Sequence, residues 1–195
     1  MYAKLLFITI LITPIYSSGG YDIGTANGKG VFKLDLTWNP FDLIDFGQNY
    51  FVLSYGITNK FDIHGYFSSN KDNYRTYYLG LFYQFYKNEK LDLATSFGIR
   101  RNLNSNKSQL FAPQLLYTYR LNSKFSLGGS FVNIIDKNKK YNDVSLDLGL
   151  YYKLNYESKY VENISIGISA FHPITWTPST GDYFVPTYSV DISFK

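Results

Sequence analysis

The chain has 195 residues, of which 19% are aromatic (20 Tyr, 16 Phe) and only 17% charged, with a formal charge of +4. The absence of Cys excludes disulfides, thiolate metal sites and thiol catalysis. A charge so small, spread among 19 bases and 15 acids, argues against a nucleic-acid partner. After the first residues, no window approaches the roughly 20 apolar residues of a membrane helix.

The N-terminus reads as an export signal. Lys4 is a thin basic start, Leu5 to Ile12 is a short apolar run broken by Thr13 and Pro14, and Ser17, Ser18 and Gly19 form a small-residue cluster. This order predicts a signal over residues 1–18, cleaved between Ser17 and Gly20, ahead of one mature domain over 19–195. Losing Lys4 lowers the formal charge from +4 to +3. The competing reading, a first buried strand, fits less well because the run is apolar on both faces. Without Cys, a lipoprotein anchor is excluded.

From Val31 onward apolar and polar residues alternate with period two, the mark of strands with one apolar face. The first strand sets Phe32, Leu34, Leu36 and Trp38 against Lys33, Asp35 and Thr37. The second, 49–58, aligns Phe51, Leu53, Tyr55 and Ile57. The third, 60–68, sets Phe61, Ile63 and Phe67 against Asp62, His64 and Tyr66. The fourth, 74–86, aligns Tyr77, Leu79, Leu81, Tyr83 and Phe85. The fifth, 90–101, sets Leu91, Leu93, Phe97 and Ile99 against Asp92, Ala94, Ser96, Gly98 and Arg100. The sixth, 109–121, aligns Phe111, Leu115, Tyr117 and Tyr119. The seventh, 124–135, sets Phe125, Leu127 and Phe131 against Ser126, Gly128 and Ser130. The eighth, 142–155, aligns Val144, Leu146, Leu148, Leu150, Tyr152 and Leu154. The ninth, 161–172, aligns Ile164, Ile166, Ile168 and Ala170, and the tenth, 184–195, aligns Tyr188, Val190, Ile192 and Phe194. Strands of about 9 to 13 residues exceed the 5 or 6 of soluble sheets and suit a tilted crossing of hydrocarbon.

The connections alternate in length. Residues 58–60, 87–89 and 121–124 are tight turns, and 156–160 is slightly longer. Between them lie longer polar links at 39–48, 69–73, 102–108, 136–141 and 173–183. This rhythm predicts an all-β, closed, antiparallel up-and-down barrel of about ten strands, eight or twelve being the neighbouring even counts, with both termini at the short-turn end.

Period two does not say which face points outward. A secreted lipocalin-like carrier turns its apolar face inward, and a membrane barrel turns it to lipid. Three features favour lipid. The face opposite the large apolar residues is rich in small ones: Ser54, Gly56, Gly80, Ala94, Ser96, Gly98, Gly128, Ser130, Gly149, Ser165, Gly167 and Ser169. Aromatics near the ends of the apolar stripes would form an interfacial girdle: Trp38, Phe61, Phe67, Tyr77, Phe85, Phe125, Tyr152 and Phe194. Charges of both signs fall on the small-residue face, where a narrow lumen would pair them: Lys33, Asp35, Asp62, His64, Asp92, Arg100, Arg120, Asp147, Lys153 and Asp191.

The last strand, Tyr188 to Phe194 followed by Lys195, resembles the terminal β-signal of bacterial outer-membrane proteins, although that signal ordinarily ends on its aromatic. The segment from Tyr55 to Ile63 is similar to a hairpin common in small barrels of that superfamily. The resemblance implies export, transit with periplasmic chaperones, insertion by the outer-membrane assembly machinery, and a final place in outer-membrane lipid with both termini periplasmic. It implies no activity and no oligomeric state.

Residues able to do chemistry are few. His64 sits on the small, polar face, where it reads as one member of a lumen network, or as a proton-responsive group. His172 ends the ninth strand near Thr175, Ser179, Thr180 and Asp182, but their spacing matches no nucleophile–base–acid arrangement. Lys137, Lys139 and Lys140 load one outer loop with positive charge, and Trp176 between Pro173 and Pro178 marks another that would fold over the mouth. No catalytic residue, metal site or cofactor is assigned. The leading expectation is a non-enzymatic outer-membrane barrel, structural or a narrow pore, with its lumen filled by side chains. The alternatives are a rim enzyme acting on lipid or peptide, and a soluble carrier.

Overall fold

The computed structural model describes residues 23–38, 48–70, 75–105, 107–140, 142–156, 158–173 and 185–195. The predicted export signal (1–18), most of the link after the first strand, and the Trp176 loop lie outside the described residues. Ten strands follow in order: β1 (Phe32–Trp38), β2 (Gln48–Gly56), β3 (Phe61–Asn70), β4 (Arg75–Lys87), β5 (Leu91–Asn102), β6 (Ser108–Arg120), β7 (Phe125–Ile135), β8 (Asp143–Leu154), β9 (Val161–Pro173) and β10 (Val185–Phe194). Each matches a predicted strand to within two residues at either end.

Every strand pairs antiparallel with its neighbour in sequence, and β1 pairs with both β2 and β10, so the sheet closes as a barrel. Closure removes the unpaired edge that an open sheet would leave. Thr58, Asn88, Asn122 and Ser158 shape the short turns, each side-chain oxygen accepting the backbone N–H two and three residues on. These are turns closed by their own side chains.

The side chains sort by size across the wall. Leu79 (59% exposed), Ile99, Phe97 and Leu148 face outward, while Ser54, Ser96, Ser130 and Ser169 are buried. A carrier with an apolar core would bury the first set. Aromatic pairs mark both rims. Trp38 lies 6.1 Å from Tyr188 near the long-loop end, where Phe67 is the register partner of Tyr77. Near the short turns, Phe32 pairs with Phe194, Phe61 with Tyr83 and Phe125 with Tyr152 at 4.9–6.0 Å, and Phe85 is exposed beside them.

Alternation breaks at β6. Phe111, expected on the outer face with Leu115, Tyr117 and Tyr119, instead points into the lumen, 5.6 Å from Tyr78, and Leu110 takes the exposed position. The register shifts between Phe111 and Gln114, across Ala112 and Pro113. Proline has no N–H for the ladder, and extra residues at such an irregularity reverse the face of everything before them.

Candidate functional site: the barrel lumen

The interior has three layers from the short turns to the long loops. The lowest contains a segment that period-two reading did not assign. Residues 23–31 are not a wall strand; they run inside the barrel past β6, β5, β4, β3 and β2 in turn. The N–H of Gly24 donates to Thr118 Oγ1 (2.9 Å), Thr25 Oγ1 to Asp92 Oδ2 (2.6 Å), and the N–H of Ala26 to Gln84 Oε1 (3.2 Å). The N–H of Asn27 donates to Asp62 Oδ2 (2.9 Å), and its Nδ2 to Ser54 Oγ (2.8 Å). The path ends at Gly28 and Gly30, with φ of 93° and 84°, where the chain turns up into β1. That left-handed backbone is open to glycine at no steric cost. The only sequence signal was a run of small and polar residues, Gly24 to Gly30, too short and too poor in apolar groups for a strand.

The same layer holds three of the predicted lumen charges. Asp62 and Asp92 are fully buried, and Arg120, its side chain 32% exposed, closes on Asp92. Lys33 and Asp191 pair at 3.0 Å across the β1–β10 seam. Asp35 is the direct register partner of Asp191 and accepts a bond from Thr37 Oγ1 at 2.6 Å. Asp147 accepts from Ser130 Oγ at 2.8 Å. Lys153 lies on the same inward register but stands exposed at the mouth.

The middle layer is apolar and aromatic on one side, a feature that the expectation of a polar lumen missed. Val52, Tyr66, Tyr78, Phe82, Ala94 and Leu116 form one buried cluster. Tyr66 stacks on Tyr78 at 5.2 Å and 11°, and Tyr50 meets Tyr66 edge-on at 5.3 Å. His64, 2% exposed, packs 5.2 Å from Tyr78, with Nε2 3.4 Å from Ser96 Oγ. Gln114 Nε2 donates to the Tyr78 hydroxyl at 2.9 Å. The sorted glycines explain how a narrow barrel holds such rings. A Cβ at Gly80 would lie 2.7 Å from Tyr78 Cζ, and one at Gly167 2.7 Å from Tyr151 Cε1. The Tyr78 ring rests on Gly80 and Gly98 and the Tyr151 ring on Gly149 and Gly167, in each case one glycine of its own strand and one of the next.

The upper layer carries Arg100, whose guanidinium sits 4.9 Å over the Phe111 ring and bonds Gln109 Oε1. Gln109 Nε2 donates to Asp136 Oδ2 at 3.2 Å, and Asp136 Oδ1 accepts the N–H of Asn138 at 2.9 Å. This chain pins the β7–β8 loop to the wall. Hydrogen bonds from Asn138 and Gln109, with nearby Lys139, hold the Asp136 carboxyl below the usual aspartate range. In the same loop Lys139 pairs with Asp143 at 2.5 Å. His172 lies on the β9 backbone opposite Leu146, and its side chain lies outside the described residues. Among the described residues, no group of three or more His, Cys, Asp or Glu is placed to hold a metal ion.

No protein-family model and no curated protein matches the chain. Solved structures do. The barrel is similar to the KdgM porin, with a TM-score of 0.55 and 10% identity over 85% of this chain and 98% of that one. It is equally similar to "KdgM porin in complex with disordered oligogalacturonate", at the same TM-score, identity and coverage. At 10% identity the likeness is one of fold. The chain is a closed ten-strand antiparallel β-barrel whose fold is similar to that of the KdgM porin.

Proposed function

We propose that the protein is an integral outer-membrane β-barrel that serves as a narrow channel or surface barrel, and that it catalyses no reaction. One observation carries this reading: large apolar side chains face outward around the whole barrel while Ser, Gly and paired charges face in. That pattern suits lipid outside and a polar passage inside. The likeness to the KdgM porin fold supports a channel. The filled lumen argues against wide diffusion, because Tyr66, Tyr78, Phe82 and Leu116 occupy the middle layer. A small barrel of this kind has little free bore.

In this reading both chain ends face the periplasm, the signal over 1–18 is removed, and β10 is the segment recognised by the assembly machinery after chaperoned transit. The test is direct. The purified protein should require detergent and should shift on a gel when heated. Liposomes containing it should swell slowly with sugars, while planar bilayers show small discrete conductance steps. A detergent-free monomer would sink the membrane reading, and fast swelling would sink the narrow one.

A further inference from the structure

We propose that residues 23–28 are a stopper built into the lumen, seated at the short-turn mouth, and that swinging this segment out about Gly28–Gly30 opens the passage. The inference rests on the channel reading above.

The first support is position. The segment contacts β6 through Thr118, β5 through Asp92, β4 through Gln84, β3 through Asp62 and β2 through Ser54, roughly one wall strand per residue. All five wall residues lie within a few positions of the short turns, so the segment rings half of that mouth. A ten-strand barrel has a backbone diameter of about 20 Å, and its lining leaves a bore of about 10 Å. An extended chain about 5 Å wide takes roughly half of it.

The second support is how it is held. From Gly24 to Asn27 its bonds go to wall side chains, not to the backbone ladder. It brings no large apolar side chain into the buried cluster, and Ala26 alone packs against it. The three contacts to Thr118, Gln84 and Ser54 exchange for water at small net cost and the two to Asp92 and Asp62 at more, but none is a ladder bond or an apolar anchor. The wall is shaped for the seat. A Cβ at Gly24 would lie 2.7 Å from the Tyr117 Cα, and a Cβ at Gly56 would fall on the Gly28 carbonyl oxygen. The third support is the hinge. Gly28 and Gly30 carry the positive φ values, and the backbone rejoins the wall beyond them, where the N–H of Gly30 donates to the Gly56 carbonyl at 2.8 Å.

The natural lack of Cys makes a clean test. Single-channel conductance is measured in planar bilayers for four proteins: wild type, a deletion of residues 23–28, Gly56→Ala, and the pair Asn27→Cys with Ser54→Cys. Deletion should raise conductance by up to about twofold, the share of the mouth released, less what the cluster above it on the same strands still fills. Gly56→Ala, which leaves the segment's own sequence intact, should unseat it and raise conductance likewise. The oxidised Cys pair should stay at the wild-type level without brief larger openings, and reduction should restore them. Heat-shifting barrels with unchanged conductance in both the deletion and Gly56→Ala would overturn the proposal. So would failure of both to form barrels, since the segment would then be a structural part of the wall. If wild type itself never inserts into bilayers, the channel reading fails instead.

Discussion

Lys33 on the first strand and Asp191 on the last form a 3.0 Å ion pair inside the barrel, at the seam where the chain closes on itself. Asp35 is the register partner of Asp191, so two carboxylates face each other beside this cation. Like charges directly opposite in a sheet repel, and a buried pair stripped of one partner costs about 3–5 kcal/mol. Lys33→Met should therefore lower stability by about 3 kcal/mol in urea unfolding from detergent micelles. Lys33→Met combined with Asp191→Leu should recover most of that loss, because Asp191 is then not left without its cation and Asp35 no longer faces a second carboxylate. Additive losses in the double variant would show that the pair itself matters little.

The ring of Tyr78 fills the space that side chains at Gly80 and Gly98 would need. Gly98→Ala should force the ring off Ser96 and Gln114 and cost about 1–3 kcal/mol, the usual price of overpacking. Tyr78→Phe keeps the shape and loses the hydroxyl's bond from Gln114 and its long one with Ser96, so it should cost about 1 kcal/mol. Thermal shift of the heat-modifiable band reads both; equal effects would argue against the ring–glycine fit.

Leu79 is 59% exposed in the middle of β4. On a water-facing surface, Leu79→Arg would be almost neutral. Facing hydrocarbon, it should cost about 2–4 kcal/mol, measured by folding into lipid vesicles. The same substitution at exposed Leu121, beside a short turn, should cost about 1 kcal/mol or less. Equal costs at both sites would contradict a lipid belt.

The bond from the Asn138 N–H to Asp136 should protect that amide from hydrogen exchange. The folded carboxyl is held below its ordinary value of 3.8 by Asn138 first, opposed by burial and helped by Gln109 and Lys139. A depressed folded pKa gives stability that is complete above the unfolded value and lost as pH falls through the folded one. Protection should thus persist at pH 5 and be lost only as pH falls through the depressed folded value, which lies below 3.8. Asp136→Asn should abolish this pH dependence, and wild-type protection unchanged far into acid, where the carboxyl is protonated, would refute the assignment.

Much of this was legible in the chain itself. Alternation is local, because neighbouring side chains on a strand point to opposite faces whatever the partner. It yielded ten strands, their ends and which residues share a face. The sorting of Gly and Ser against Leu and Phe then separated the inner face from the outer one, because a narrow bore has no room for large residues on every strand.

Three things required the tertiary structure. Phe111 changed face because the irregularity at Ala112–Pro113 depends on how β6 meets β7, which no local period records. The seating of Tyr78 on Gly80 and Gly98 depends on the register of β4 against β5. Residues 23–31 carry no periodicity, since the segment is held, through backbone N–H groups and its own side chains, by side chains from five strands far along the chain. The sequence by itself determined the wall, through a pattern written residue by residue. What fills the wall was decided only when barrel closure brought distant strands around a common interior.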